Sequence, residues 1–178
     1  MNPFIGRGTK IADNATERTI LAFLETWEVS LQFYISLFET GSFKNILRLT
    51  NTNTDSGNVG DRIFAICVHN VNQQLRFSYD RTEGFANYLH ADKISANTWY
   101  NLRATQEFDR GEFMLRIFLN ETMIHERALK YTPTLYDNVT VYMGDQFSPP
   151  PILGYVDQLN ITTGKLKLSF ERFIRIMR

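Results

Sequence analysis

The sequence predicts an all-β chain that folds as an antiparallel β-sandwich. Apolar and polar residues alternate with a period of two over most of the chain after residue 26, which is typical of half-buried strands. Polar turns separate these runs, and none of them combines a helical period with capping residues. With 178 residues, 43% of them hydrophobic and 13% aromatic, the chain is long enough for one domain with a substantial core.

The longest alternation covers residues 27–37. Trp27 and Val29 point to one side of this predicted strand, and Glu28 and Ser30 point to the other. We therefore expect a long strand with one face on the core.

Two more alternating runs, at 100–108 and 113–119, predict a hairpin. Asp109 and Gly111 lie between them, and these residue types favour a short turn with left-handed backbone. Glu112 is then expected to begin the return strand.

Shorter runs predict six further strands, at residues 45–50, 62–69, 74–79, 123–129, 138–143 and 153–163. In the last of them, Val156 has the opposite parity to Leu159 and Ile161. A β-bulge near Asp157 and Gln158 would keep all three apolar side chains on the core. Runs that are apolar on both faces, beside runs that alternate, favour two sheets packed face to face.

The chain divides into three predicted segments. Residues 1–26 form an N-terminal segment that is partly strand, residues 27–163 form the sandwich, and residues 164–178 form a basic edge strand and tail. Outward Lys residues in the first half of the tail would discourage pairing with other sheets. Its second half is either a linker or an amphipathic contact with a partner.

Charge and hydropathy exclude two classes of partner. Lys plus Arg number 19 and Asp plus Glu number 19, so no field of one sign favours nucleic acid. The longest apolar runs, such as residues 63–68, hold about six residues, far fewer than the roughly 20 needed for direct membrane insertion as a helix.

The single cysteine and the sequons bear on the compartment. Cys67 alone cannot form an intramolecular disulfide or a cysteine-based zinc site, and its apolar surroundings in the sequence predict a small buried residue. The first 26 residues hold charged side chains and no continuous apolar stretch, so we do not expect them to be a secretory signal peptide, which leaves either a cytosolic protein or a trimmed chain. Four acceptor sequons mildly favour an extracellular, secreted protein with N-linked glycans, and they begin at Asn14, Asn120, Asn138 and Asn160.

The order of the strands resembles that of a known superfamily. The matching segments are 45–50, 61–66, 74–80, 99–104, 113–120, 141–144 and 154–157. Together they resemble the laminin G-like and pentraxin-like domains of the concanavalin A-like superfamily. The resemblance implies a jelly-roll arrangement of the sandwich. The chain departs from the pattern at Tyr100, where these families usually have His, and at Tyr155, where laminin G-like domains have a disulfide-forming Cys.

Trp99 opens a segment that is similar to the family's Trp-His-x-Val strand. We expect its side chain to lie in the core, so that Trp99→Ala would leave a cavity.

Catalysis is not supported by the pattern of acids and nucleophiles. Glu107, Asp109 and Glu112 resemble the ExDxxE motif of laminarinase-type hydrolases, but the turn at Gly111 is expected to keep Glu112 out of line with the other two. The three His residues have no metal-ligand spacing, and no Gly-x-Ser-x-Gly elbow occurs. The sequence therefore predicts a protein that is not an enzyme.

Binding through loops is the function that remains. The polar segments 51–61 and 80–98 are expected to be long loops at the rim of the sandwich, and the segment 145–152 is a third candidate. Their mixture of acidic, amide and aromatic side chains suits sugar rings or a protein surface. The predicted ligand-binding residues are Asp80, Arg81, Asn87, Tyr88 and Phe147.

Calcium is an expectation carried by the resemblance, because rim acids hold this ion in related domains. Asp61, Asp80 and Asp145 are the candidate ligands. The alternative, which the residue types favour, is that they are solvated turn residues.

The sequence thus predicts an extracellular recognition or adhesion module that binds a glycan or a protein, with calcium assistance left open. One alternative is a structural domain that mediates assembly into an oligomer of a larger protein. A second alternative is a carbohydrate-active enzyme.

Overall fold

The computed structural model describes residues 9–11, 16–52, 54–81, 84–144 and 151–164. These residues form twelve strands and no helix. The strands are β1 (Thr9–Lys10), β2 (Thr16–Phe23), β3 (Trp27–Leu37), β4 (Phe43–Thr50), β5 (Phe64–His69), β6 (Gln74–Arg81), β7 (Gly84–Lys93), β8 (Trp99–Asp109), β9 (Glu112–Leu119), β10 (Thr122–Leu129), β11 (Tyr136–Tyr142) and β12 (Leu153–Thr163).

The strands form two antiparallel six-stranded sheets. The first sheet has the order β1-β12-β3-β8-β9-β10, and the second has the order β2-β11-β4-β5-β6-β7. The all-β sandwich predicted from the sequence is confirmed. The N-terminal segment contributes β1 to an edge of the first sheet and β2 to an edge of the second.

The core lies between the two sheets and follows from the alternation in the strands. In β3 every second residue from Trp27 to Ile35 is buried, while the residues between them are partly exposed. Phe33 of the first sheet and Phe64 of the second are both fully buried. One face of each sheet therefore supplies the apolar layer, and the other face is available for other contacts.

The predicted hairpin and bulge are both confirmed. Asp109 pairs with Glu112 across a two-residue turn, where Arg110 and Gly111 have φ values of 52° and 95°. Such left-handed backbone at both positions is the geometry of the tightest hairpin turns.

In β12 the register with β3 shifts between Asp157 and Asn160, and Gln158 has a φ of 51°. The shift brings Val156, which is buried, and the partly buried Leu159 to the same core. Gly154 allows β12 to approach β3 closely, because a Cβ there would lie 2.2 Å from the Tyr34 carbonyl oxygen.

The segment 80–98 is not the long loop that the sequence predicts. Most of it forms β7, which pairs with β6 along the edge of the second sheet. Ala86 and Tyr88 face inward in this strand, but the polar residues among them weaken the apolar alternation. The predicted tail at 165–178 lies outside the described residues.

The loop at 51–61 lies over the outer face of the second sheet and is held there by buried charged groups. Arg48, which is fully buried, donates from Nε to the Asp61 carbonyl oxygen at 2.8 Å and from its guanidinium to the Thr54 carbonyl oxygen. Arg62 forms a bidentate ion pair with Asp55, at 2.7 and 2.5 Å. The second sheet is therefore covered on this part of its outer face.

Cys67 is buried as predicted, but it lies on the outer face of the second sheet rather than between the sheets. It pairs with Asn45 in β4, whose side-chain amide lies 3.8 Å from its sulfur. Burial raises the pKa of the Cys67 thiol to about 11, so the sulfur is protonated at neutral pH and unreactive.

Candidate functional site

The candidate site lies on the outer face of the first sheet. The alternation that buries one side of β3 and β8 places polar and aromatic side chains on the other side. Residues that pair directly in an antiparallel ladder project from the same face. The register of β12, β3, β8 and β9 therefore assembles these side chains into rows across the sheet.

A depression of about 160 Å³ lies in the middle of this face. Its side chains are mostly polar and come from three central strands, the β9–β10 turn and the bulge of β12. We call this the polar depression, and it is lined by Ser30, Leu31, Gln32, Asn101, Leu102, Arg103, Phe118, Glu121 and Gln158.

Three side-chain amides project into the polar depression. Gln32 and Asn101 are direct partners in the β3–β8 ladder, and the left-handed residue of the β12 bulge is Gln158. None of these three side chains forms a hydrogen bond within the described part of the chain. Each amide offers one acceptor oxygen and two N–H donors, so together they can bind a ligand rich in hydroxyl groups.

Arg103 and Phe118 form one wall of the depression. They pair across β8 and β9, and the guanidinium carbon of Arg103 lies 4.0 Å from the centroid of the Phe118 ring. The cation–π contact fixes the position of the guanidinium group beside the amides.

Three aromatic side chains form the adjacent row of the same face, and we call them the aromatic row. Tyr34 lies in the centre, with ring centroids 5.5 Å from Trp99 and 6.1 Å from Tyr155. Its hydroxyl donates to the Asn97 side-chain oxygen at 2.7 Å. The row is one step of two residues away from Gln32 and Asn101, about 7 Å along the strands.

The prediction that Trp99 lies in the core is wrong. Trp99 pairs with Tyr34, which points outward from β3, so both rings lie on the outer face. The indole is partly buried by its aromatic neighbours and is not between the sheets.

A cluster of charged residues occupies the other end of the face. Arg116 lies 2.7 Å from Asp109, 3.3 Å from Glu126 and 4.0 Å from Glu107. The hydrogen bond to Asp109, together with the charge and hydrogen bond of Glu126, raises the pKa of the Arg116 guanidinium. The positive charge of Arg116 is therefore balanced by the neighbouring carboxylates.

Glu112 begins the return strand as predicted, but it does not leave the face that carries Asp109. The two residues are direct partners in the β8–β9 ladder, so their side chains project from the same side. The sequence-based expectation that the turn separates them is wrong, because a two-residue turn preserves the facing of the pair.

The residues predicted to bind ligand are not brought together where the structure describes them. Asn87 lies on the outer face of the second sheet, where its side-chain oxygen accepts hydrogen bonds from Arg76 at 3.1 Å and Ser78 at 2.7 Å. Asp80 accepts from the Gly60 backbone at 3.2 Å. Arg81 ends β6, and Phe147 lies outside the described residues.

Tyr88 faces inward and joins the two edge strands β7 and β10. Its hydroxyl donates to the Ile124 carbonyl oxygen at 2.8 Å, and its ring stacks on His125 at a centroid distance of 4.0 Å. This tyrosine therefore closes the sandwich along one edge.

His125 makes the stability of this edge depend on pH. Burial, assisted by the positive charge of Arg127, lowers the pKa of His125 below its usual 6.5. The unfolded chain then binds the proton more readily than the folded chain, so stability is lost as pH falls below about 6.5. We expect the Tm of the wild type to fall between pH 7.5 and 5.5, and His125→Gln to fall less. An equal fall in both proteins would contradict this role.

Asp61 organises the 51–61 loop through all of its carboxylate acceptors. Its oxygens accept from the Thr52 hydroxyl at 2.5 Å, the Thr54 hydroxyl at 2.8 Å, and the backbone N–H groups of Gly57 and Asn58, both at 2.9 Å. Burial raises the pKa of Asp61, but these hydrogen bonds outweigh it and lower the pKa overall.

The calcium expectation is therefore without geometric support in the described residues. No three His, Cys, Asp or Glu side chains there come together in a metal-binding arrangement. Asp145, the third candidate ligand, lies outside the described residues, so calcium binding stays a prediction.

Comparison with known proteins identifies the fold. No protein-family model and no curated protein matches the chain. CBM40 of the Ruminococcus gnavus IT-sialidase, solved bound to α2,3-sialyllactose, aligns with a TM-score of 0.63 at 11% identity, covering 97% of each chain. A SAP-like pentraxin from Limulus polyphemus has a TM-score of 0.56 at 10% identity, over 82% of this chain and 67% of that one.

Two further structures extend this list. The endo-β-1,4-glucuronan lyase of the fungus Trichoderma reesei has a TM-score of 0.60 at 13% identity, over 89% of this chain and 77% of that one. The receptor-binding domain of botulinum neurotoxin mosaic serotype C/D has a TM-score of 0.56 at 14% identity. The alignment covers 80% of this chain and 34% of that domain, so the chain spans about a third of its length.

The chain thus has the fold of these structures, an antiparallel jelly-roll β-sandwich, and the fold implied by the sequence resemblance is confirmed. The described residues include no helix that is long and apolar enough to span a membrane.

Proposed function

We propose that the chain is a non-catalytic glycan-binding module and that the polar depression and the aromatic row are its binding site. One observation carries the proposal: Gln32, Asn101 and Gln158 present amides that have no hydrogen-bond partner among the described residues, and these amides lie beside outward-facing aromatic rings. Sugar hydroxyls match the donors and acceptors of amides. The apolar faces of sugar rings match aromatic side chains such as the 38% exposed Tyr155.

The similar structures support this proposal. One of them is a CBM40 that holds sialyllactose, and another is an enzyme named for its action on glucuronan. The sandwich is thus a scaffold on which other proteins handle sugars, and a flat sheet face with a shallow depression suits an extended chain of sugar units.

The charged cluster argues against hydrolysis on this face. Glycoside hydrolysis needs one carboxylic acid that protonates the leaving group and one carboxylate that attacks or activates water. Glu107 and Asp109 both lie within 4.0 Å of the Arg116 guanidinium. We therefore propose that these two side chains hold Arg116 in place rather than act on a sugar.

The module is proposed to act outside the cell. Asn138, which begins one of the sequons, is exposed on the second sheet, so glycosylation there would leave the polar depression open. An adhesion role, with a glycan on another cell or protein as the ligand, belongs to the same proposal.

A glycan array followed by calorimetry on the best ligand tests the proposed site. We expect Gln32→Ala with Asn101→Ala to weaken binding at least about tenfold, because two groups of ligand hydrogen bonds are lost. Asn87→Ala, an amide on the other sheet, is the matched control and should bind like the wild type. The protein is made in bacteria, because a glycan on Asn120 would border the polar depression.

The alternatives give different results in the same experiment. If the array shows no binding and light scattering gives a mass above one chain, the assembly role replaces the binding role. If Asn87→Ala weakens binding and the double variant does not, the site lies on the second sheet. Binding is expected to persist in EDTA, since Glu121 is the one acidic side chain among the described lining residues and calcium requires six to eight oxygen ligands.

A further inference from the structure

Arg103 and Arg116, both on the outer face of the first sheet, differ in whether acidic side chains balance their positive charge. Glu107, Asp109 and Glu126 surround Arg116, and their negative charges balance its positive charge. Arg103 lies on the neighbouring strand and has no acidic group within ion-pair distance in the described part of the chain. Of these two arginines, Arg103 is therefore the one whose charge is not balanced by a paired acid among the described residues.

The positive charge of Arg103 lies within the proposed binding site. Arg103 lines the polar depression, and its guanidinium lies over the Phe118 ring at 4.0 Å. The cation–π contact uses none of the guanidinium N–H groups as hydrogen-bond donors, and among the described residues these groups donate to no acceptor, so they stay available. A guanidinium held in this manner offers a planar fork of donors that matches the two oxygens of a carboxylate.

We propose that the site selects acidic glycans, with Arg103 binding the carboxylate of a sugar acid. This inference rests on the proposed function and adds the class of ligand to it. Arg103 binds the carboxylate with two parallel N–H···O bonds, while Gln32, Asn101 and Gln158 bind the hydroxyls of the same or the next sugar unit. Glu121 also lines the depression and would disfavour a second anionic group inside it, so we place one carboxylate, the one at Arg103, in the depression itself.

The experiment compares each acidic glycan with its own methyl ester, which keeps the stereochemistry and removes the charge. The probes are oligogalacturonides, oligoglucuronides and sialyllactose, each immobilised beside its ester, together with neutral and sulfated glycans. We expect the wild type to prefer the acids over their esters by about tenfold to a hundredfold, the range of a charge-assisted hydrogen-bond pair.

Two variants locate the preference on the protein. Arg103→Gln should bind an acid and its ester equally, because the preference is lost together with the guanidinium group. Lys93→Gln removes the same charge from an exposed position on the second sheet and should keep the full preference. Thermal melting of both variants verifies that they fold.

The outcomes separate this inference from the proposed function. Binding to neutral glycans with no preference for acids, or a preference that survives in Arg103→Gln, overturns the inference and leaves the glycan-binding site standing. Stronger binding to sulfated than to carboxylated glycans also overturns it. No binding to any glycan overturns the proposed function, and the inference falls with it.

Discussion

Trp27→Ala is expected to lower the free energy of unfolding by about 3–5 kcal/mol, the range for replacing a buried large aromatic side chain. Trp27 is only 5% exposed, and its ring lies 5.9 Å from Phe23 and 5.3 Å from Phe64. These contacts join the first sheet to the second, so the cavity would open between the layers. A loss of this size is a large share of the roughly 5–15 kcal/mol that stabilises a typical domain.

Trp99→Ala is the matched control, because the same residue type lies outside the core. Its ring is partly buried against Tyr34 on the outer face, so we expect a loss of about 1 kcal/mol, the value of an aromatic pair. Urea denaturation of both variants measures the difference. Equal losses would contradict the placement of Trp99 on the outer face. A glycan affinity unchanged by Trp99→Ala would contradict the proposed role of the aromatic row in binding.

The contrast between the two tryptophans indicates what the sequence could predict. In β8 the buried residues Leu102 and Ala104 are at even positions, so the alternation itself places Trp99 outward. The family resemblance favoured the core instead. The physical pattern was correct here, and the analogy with the Trp-His-x-Val strand was not.

The bulge in β12 was predictable because it follows from a physical requirement. Val156 and Leu159 can face the same core only if one residue is inserted between them. The strand β7 was not predictable by the same reasoning. His90 at an inward position and the exposed Leu89 at an outward one interrupt its alternation, and the two-residue connection to β6 leaves no clear loop between the strands.

The candidate site could not be predicted from the sequence for a different reason. The outward positions of Gln32, Asn101 and Arg103 follow from the predicted alternation of two strands. Their proximity depends on the order β12-β3-β8-β9, which joins strands far apart in the sequence. No local pattern encodes that order. The available signal was the presence of amides at outward strand positions where charged residues would serve solubility equally well.

Asp55→Ala is expected to cost about 3–5 kcal/mol of stability, the range for breaking a buried ion pair. Its carboxylate forms a bidentate pair with Arg62, and the two side chains are only 5% and 10% exposed. Arg62 also donates to the Ser78 hydroxyl at 3.4 Å, a weak contact that cannot replace the carboxylate. The variant therefore removes the bidentate carboxylate that balances a buried arginine beneath the 51–61 loop.

Glu126→Ala provides the comparison with an exposed ion pair. Glu126 is 42% exposed and lies 3.3 Å from Arg116, which keeps Asp109 as a partner, so we expect a loss of about 0–1 kcal/mol. The double variant Asp55→Ala with Arg62→Met removes both buried charges and should recover most of the stability lost in Asp55→Ala. Denaturant unfolding measures all three. If Asp55→Ala is as mild as Glu126→Ala, the loop is not anchored by the pair; if the double variant recovers nothing, the loss comes from the packing of Asp55 rather than from the charge left on Arg62.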